Sequence, residues 1–184
     1  MQGYESLVAT PKAYFTNAVT GIVTRPGATV RHYKLQREAA SAYHVAAAHA
    51  RLGRDSHLAS VTLDLGGGLV RNDLAITLAE PGASVSLDGL YLADEAQHVD
   101  NHTWVDHAVP NTSSNQVYKG IMRDASHGVF VGEILVRPNA QRSSAHQTNK
   151  NLVLSDTAEV DSQPKLQIFA DDVQCTHGAA VGRL

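Results

Sequence analysis

Short runs in which apolar or β-branched residues alternate with polar ones recur along the chain, each bounded by a tight-turn signal. A period of two predicts strand after strand rather than helix. Residues 13–24, rich in aromatic and β-branched side chains, suit a pleated, half-buried surface. Arg25-Pro26-Gly27-Ala28 breaks that run, and residues 29–36 resume it. Further strands are predicted over 58–65, 74–78, 85–92, 129–136, 151–154 and 165–169. Residues 38–52 test the rule, because seven alanines give the segment a strong intrinsic helix preference. Yet Tyr43, Val45 and Ala47 alternate with His44, Ala46 and Ala48 between strand-like neighbours, and tertiary context overrides a weak propensity, so strand is predicted there too.

The turns repeat one form: a charged residue or Pro, then Gly, Asp, Asn or Thr, then a small residue. They are Arg25-Pro26-Gly27-Ala28, Gly53-Arg54-Asp55-Ser56, Glu80-Pro81-Gly82-Ala83, Met122-Arg123-Asp124-Ala125, Arg137-Pro138-Asn139-Ala140 and Ser155-Asp156-Thr157-Ala158. Their small residues recur at steps of about 27 early and about 15 to 18 later. Stacked coils need small residues at matched corners, because each corner sits on the one below. This favours an all-β solenoid over a sandwich or jelly roll, the alternative that the same strands allow. Gly66-Gly67-Gly68 lacks the spacing of a phosphate-binding loop and reads as a bend between coils.

Composition narrows the function classes. A chain of 184 residues fits one domain, residues 1–184, and can bury a core without disulfides or structural metal. Fifteen basic residues against eighteen acidic ones, with no basic run, argue against nucleic acid as a partner. The start carries neither a cationic nor an apolar leader segment, no stretch approaches the roughly 18 apolar residues of a membrane span, and a single cysteine excludes an internal disulfide. A soluble, cytoplasmic protein without membrane contact is expected.

Ten histidines direct attention to metal chemistry. His98, His102 and His107 lie among Asp94, Glu95, Asp100 and Asp106, a density of nitrogen and oxygen ligands that suits zinc or iron. The intervening Val99, Thr103, Trp104 and Val105 favour an extended or irregular segment, and the spacing of a helical zinc hydrolase motif is absent; the preferred reading is that these histidines cap backbone groups at a turn or in an interface. His127 and His146 are isolated, and residues 112–116 and 149–151 read as polar ladders or turns. Cys175-Thr176-His177 is the other candidate. A free cysteine is most often a small buried hydrophobe, but a histidine two residues away shares its face in a strand, can lower the thiol pKa and adds a borderline ligand, while Gly178 allows a bend beside them. Two groups cannot complete a site alone.

The residues themselves resemble a known family. The runs 60–74 (SVTLDLGGGLVRNDL), 89–94 (GLYLAD), 97–103 (QHVDNHT), 115–120 (NQVYKG), 147–156 (QTNKNLVLSD) and 158–161 (AEVD), with Ala140-Gln141 and Pro164, are similar to the core of the SufB/SufD family of the SUF iron–sulfur cluster assembly system. The ending 170–179 (ADDVQCTHGA) resembles the SufD branch. The resemblance implies a right-handed parallel β-helix and a non-catalytic scaffold role in a complex with SufB and the ATPase SufC. It implies a nascent iron–sulfur cluster, or iron, at the SufB–SufD interface, with His177 the most implicated residue and Cys175 close by as transient ligands. Family members carry an N-terminal portion and a C-terminal helical portion that docks SufC, so a core fragment that pairs with SufB or forms a homodimer is the expectation. Two other classes stand beside it: a β-helix carbohydrate-active enzyme using groups such as Asp94, Asp100 and His102, and a self-associating structural solenoid in which the Cys-x-His pair is merely packed.

Overall fold

The structure, a computed structural model, describes residues 12–184. Twelve strands follow one another: β1 (Tyr14–Val23), β2 (Thr29–Gln36), β3 (Ala42–Leu52), β4 (His57–Asp64), β5 (Leu69–Leu78), β6 (Ser84–Ala93), β7 (His98–His107), β8 (Ser113–Met122), β9 (His127–Val136), β10 (Ser143–Val153), β11 (Glu159–Ile168) and β12 (Val173–Arg183). Odd strands form one parallel sheet in the order β1-β3-β5-β7-β9-β11, and even strands form the other, β12-β10-β8-β6-β4-β2. The chain therefore winds as a two-sided β-solenoid of six coils, and no helix occurs among the described residues. Among them, accordingly, no helix is long and apolar enough to cross a membrane.

The alanine-rich segment is strand β3, paired with β1 and β5 on either side. Two full ladders of backbone hydrogen bonds outweigh alanine's helix preference. The uneven turn spacing also resolves. Residues 25–28, 53–56, 80–83 and 137–140 lie at one corner, between odd and even strands, whereas 122–125 and 155–158 lie at the other. Steps within one corner are whole coils and steps between corners are half coils. The same-corner turn between β7 and β8, Val109-Pro110-Asn111-Thr112, was missing from the pattern. At the β8–β9 corner the small buried residue is Ser126 and not Ala125. Left-handed backbone at Gly27, Asp55, Gly82 and Asn111 explains why Gly, Asp and Asn recur there. Gly66-Gly67-Gly68 is the β4–β5 corner: a Cβ on Gly66 would stand 2.3 Å from the carbonyl oxygen of Glu38, and one on Gly68 2.4 Å from that of Ala40.

The core lies between the two sheets. Leu58, Leu87, Ile76, Leu78, Phe130, Ile134 and Val136 are fully buried in it. Polar residues share this interior. Near the first coils Lys34 reaches Asp64 at 3.2 Å and also bonds Asn72, and Asn72 donates to Asp64 and Asn101 at 2.8 and 2.9 Å. Glu38 accepts from Thr16 at 2.6 Å and lies 3.1 Å from His44 Nδ1. Further along, the Tyr91 hydroxyl bonds Asn151 and accepts from Asn149 at 3.1 Å, and burial pushes its pKa up to about 12. Of residues 112–116 and 149–151, read from sequence as polar ladders or turns, Ser114 and Gln116 of β8 and Asn149 and Asn151 of β10 face inward, Thr112 is buried at the corner before β8, and Ser113, Asn115 and Lys150 are exposed.

Candidate functional site

The last coil carries the candidate pair. Strand β12 is the edge of the even sheet, bonded on one side to β10 and bare on the other. Its even-numbered residues donate to β10, as Leu184 does to Val153, so the N–H groups of its odd-numbered residues face the open end. The companion edge β11 is blunted. Glu159 and Phe169 donate inward to β9, which turns Pro164, with no N–H, toward the open side. The eleven residues of β12 contain no proline.

Cys175 and His177 are odd-numbered and share one face of β12. They stand in register with Ala145 and Gln147, whose side chains are buried between the sheets, so the pair belongs to the inward-facing row of the last coil. Cys175 is half-buried and packs against the core, while His177, with no coil beyond it, is exposed. Burial pushes the Cys175 thiol above its ordinary value, opposed by a backbone hydrogen bond from Ala145. The expected lowering by the nearby histidine is therefore overturned: desolvation of the thiolate dominates. Gly178 makes no bend either, since it continues the regular strand without left-handed backbone.

Beneath His177 the interior is unusually polar. Gln147 and Gln116 occupy the same inward row one and two coils back. Both are buried, and neither amide nitrogen has a partner; the Gln147 carbonyl oxygen lacks one as well. Gln116 Oε1 accepts from the Thr103 hydroxyl at 2.7 Å. From sequence Gln116 reads as part of a polar ladder or turn, and Gln147 stands out only as part of the family-like run 147–156. Their shared register with His177, visible only once the coil length is known, is the signal that marks them.

Comparison with known proteins places this geometry. The family model of the SUF system FeS cluster assembly SufBD core domain matches residues 1–184. Relatives include the iron–sulfur cluster assembly protein SufD of Escherichia coli, 33% identical over 171 residues covering 93% of this chain and 40% of that protein. An iron–sulfur cluster assembly SufBD family protein of Synechocystis is 34% identical over 171 residues, covering 93% of this chain and 38% of its own length. The chloroplastic protein ABCI7 of Arabidopsis thaliana is 32% identical over 172 residues, covering 93% and 36%. The chain belongs to the SufBD core family. It spans about 40% of the length of these relatives.

In this SufBD core the other histidine candidate does not assemble. His98 and His102 point outward from β7, whereas His107 points inward and is fully buried, so the three never share a face. His107 accepts or donates at both ring nitrogens, to Thr112 at 2.8 Å and Ser114 at 2.9 Å, and so ties the corner to β8. Both partners are side-chain hydroxyls, whereas the sequence predicts histidines that cap backbone groups. His98 meets His127 edge-on with ring centres 4.8 Å apart. His102 pairs with Asp100 at 2.9 Å, and Asp100 also holds Arg71. Asp94 lies apart at the β6–β7 corner, paired with Arg123 at 2.9 Å. His127 bonds Asp161 and His146 bonds Thr176, both at 2.8 Å. Among the described residues, no group of three or more His, Cys, Asp or Glu is placed to hold a metal ion. Cys175 and His177 sit side by side at the open coil end, and no such group includes them.

Proposed function

We propose that this chain is a non-catalytic scaffold for iron–sulfur cluster assembly, acting with a SufB-type partner and the ATPase SufC, in which His177 and, secondarily, Cys175 hold iron or a nascent cluster at the partner interface. Family membership supports the assembly role. The observation that carries the site is the inward row of the last coil: one soft and one imidazole donor, side by side, with no third ligand placed beside them among the described residues. Such a set suits iron shared across an interface. The cluster is cargo here, held and passed on. The raised thiol pKa ranks His177 ahead of Cys175, because imidazole ligates in its neutral form, whereas the thiol must first lose a proton. The unblunted edge of β12 supports pairing with another chain at this end.

Anaerobic reconstitution of the full-length complex with its SufB-type partner provides the test. His177→Ala is expected to abolish cluster formation followed by visible absorption and acid-labile sulfide, and Cys175→Ser to reduce it less. Unchanged cluster yield in His177→Ala would overturn the site assignment. The bare β12 edge could equally pair with a second copy of the chain; a clean monomer by sedimentation at high concentration would remove the self-associating alternative.

A further inference from the structure

Directly behind His177 lies Gln147, which among the described residues alone has two buried side-chain atoms without hydrogen-bond partners. Gln147 is 1% exposed, and its Nε2 and Oε1 both lack hydrogen-bond partners. Burying an amide without partners is unfavourable, and an apolar residue of the same shape avoids the penalty. The fold nevertheless makes room for it: a Cβ on Gly132, across the interior on β9, would fall 1.9 Å from Gln147 Nε2. Gln147 is also the register partner of His177. Side chains on the same face of adjacent strands are separated by about 4.8 Å, which puts the imidazole within reach of the amide once the ring turns inward.

We propose that Gln147 is a positioning residue for His177: its side-chain carbonyl oxygen accepts one ring N–H, fixes the imidazole in one tautomer, and presents the other ring nitrogen to iron. A metal-bound histidine characteristically donates its second ring N–H to an oxygen acceptor, which sets both orientation and tautomer. Gln147 Oε1 is a buried acceptor with nothing to accept. The inference deepens the scaffold reading and rests on His177 being an iron ligand.

Two measurements test it. Ring nitrogen NMR of the histidine-labelled full chain in complex with its SufB-type partner reports the His177 tautomer, and anaerobic titration of the same complex with ferrous iron alone reports affinity. In Gln147→Leu the single tautomer is expected to become a mixture, and iron affinity to fall by about 10- to 100-fold. Gln116→Leu, the same kind of change one coil deeper, is expected to move neither. Gln147→Leu removes two unpartnered atoms and is expected to melt no lower than wild type; Gln147→Met carries the same expectation should the leucine variant fail to fold. An unchanged tautomer or unchanged iron affinity in the Gln147 variants overturns the proposal, as does an equal response in Gln116→Leu. If His177→Ala binds iron normally, the scaffold site itself is wrong, whatever the Gln147 variants do.

Discussion

Gly89→Ala is expected to destabilise the chain by about 3 kcal/mol, lowering the thermal midpoint by about 6 to 12 °C for a domain of this size. The cause is a single contact. A Cβ on Gly89 would lie 2.2 Å from two ring atoms of Tyr118, the residue in register with it on the next coil. That ring cannot swing away, because it is buried and packs against Phe130 with ring centres 4.9 Å apart. Gly120 repeats the arrangement one coil on, where a Cβ would meet the Tyr91 ring at 2.3 Å and Asn151 Oδ1 at 2.4 Å. Each of these two buried tyrosine rings lies against a glycine in register on the neighbouring coil. A double-mutant cycle separates this from a generic strand effect. Tyr118→Leu alone loses ring packing, but in its presence Gly89→Ala is expected to cost well under half of its single-mutant value. Equal costs of Gly89→Ala in both backgrounds, by chemical denaturation, would show that the tyrosine ring is not the obstacle.

The same interior explains which parts of the fold were legible. Strands β6 and β9 turn Val85, Leu87 and Tyr91, and Phe130, Ile134 and Val136, inward, while β4 has Leu58 inward and Val61 and Leu63 on its other face, and period-two alternation revealed all three within one or two residues. Strand β8 and most of β10 went unpredicted, and β7 was legible only as extended or irregular chain, because their inward positions include Asn101, Thr103 and His107, then Ser114 and Gln116, then Gln147, Asn149 and Asn151. Alternation of polar with polar has no hydrophobic signal, although the backbone geometry is identical. Apart from Gln147, these side chains bond other polar groups of the interior, and such bonds replace the hydrophobic contacts on which pattern reading depends. The candidate site was legible as a motif, Cys175-x-His177, since spacing alone puts both on one face. That the thiol would be desolvated rather than activated depended on Cys175 packing against the core, which no local spacing encodes. Gln147 needed the register of three coils.

Mild acid is expected to weaken the fold well before the carboxylates titrate. Burial lowers the pKa of His107 from its ordinary 6.5 to about 4, against a smaller opposing effect of Asp106. His107 is therefore neutral when folded and protonates more readily when unfolded. Its contribution to stability is fully present above about pH 6.5 and is lost as pH falls toward 4, a difference of about 3 kcal/mol. His32 and His44 act in the same direction, each lowered first by burial and then by the charge of Lys34. Asp73 behaves oppositely: hydrogen bonding from Arg71 lowers its pKa, so its contribution disappears only below the ordinary aspartate range. The two windows are separate, and urea unfolding between pH 7 and pH 4.5 isolates the histidines. His107→Gln keeps polar atoms beside Thr112 and Ser114 but cannot titrate, so it is expected to be less stable than wild type at pH 7 and to lose much less on acidification. A pH dependence in His107→Gln as steep as in wild type would assign the acid sensitivity to His32 and His44 at the other end of the interior, where Lys34 and Glu38 also face it.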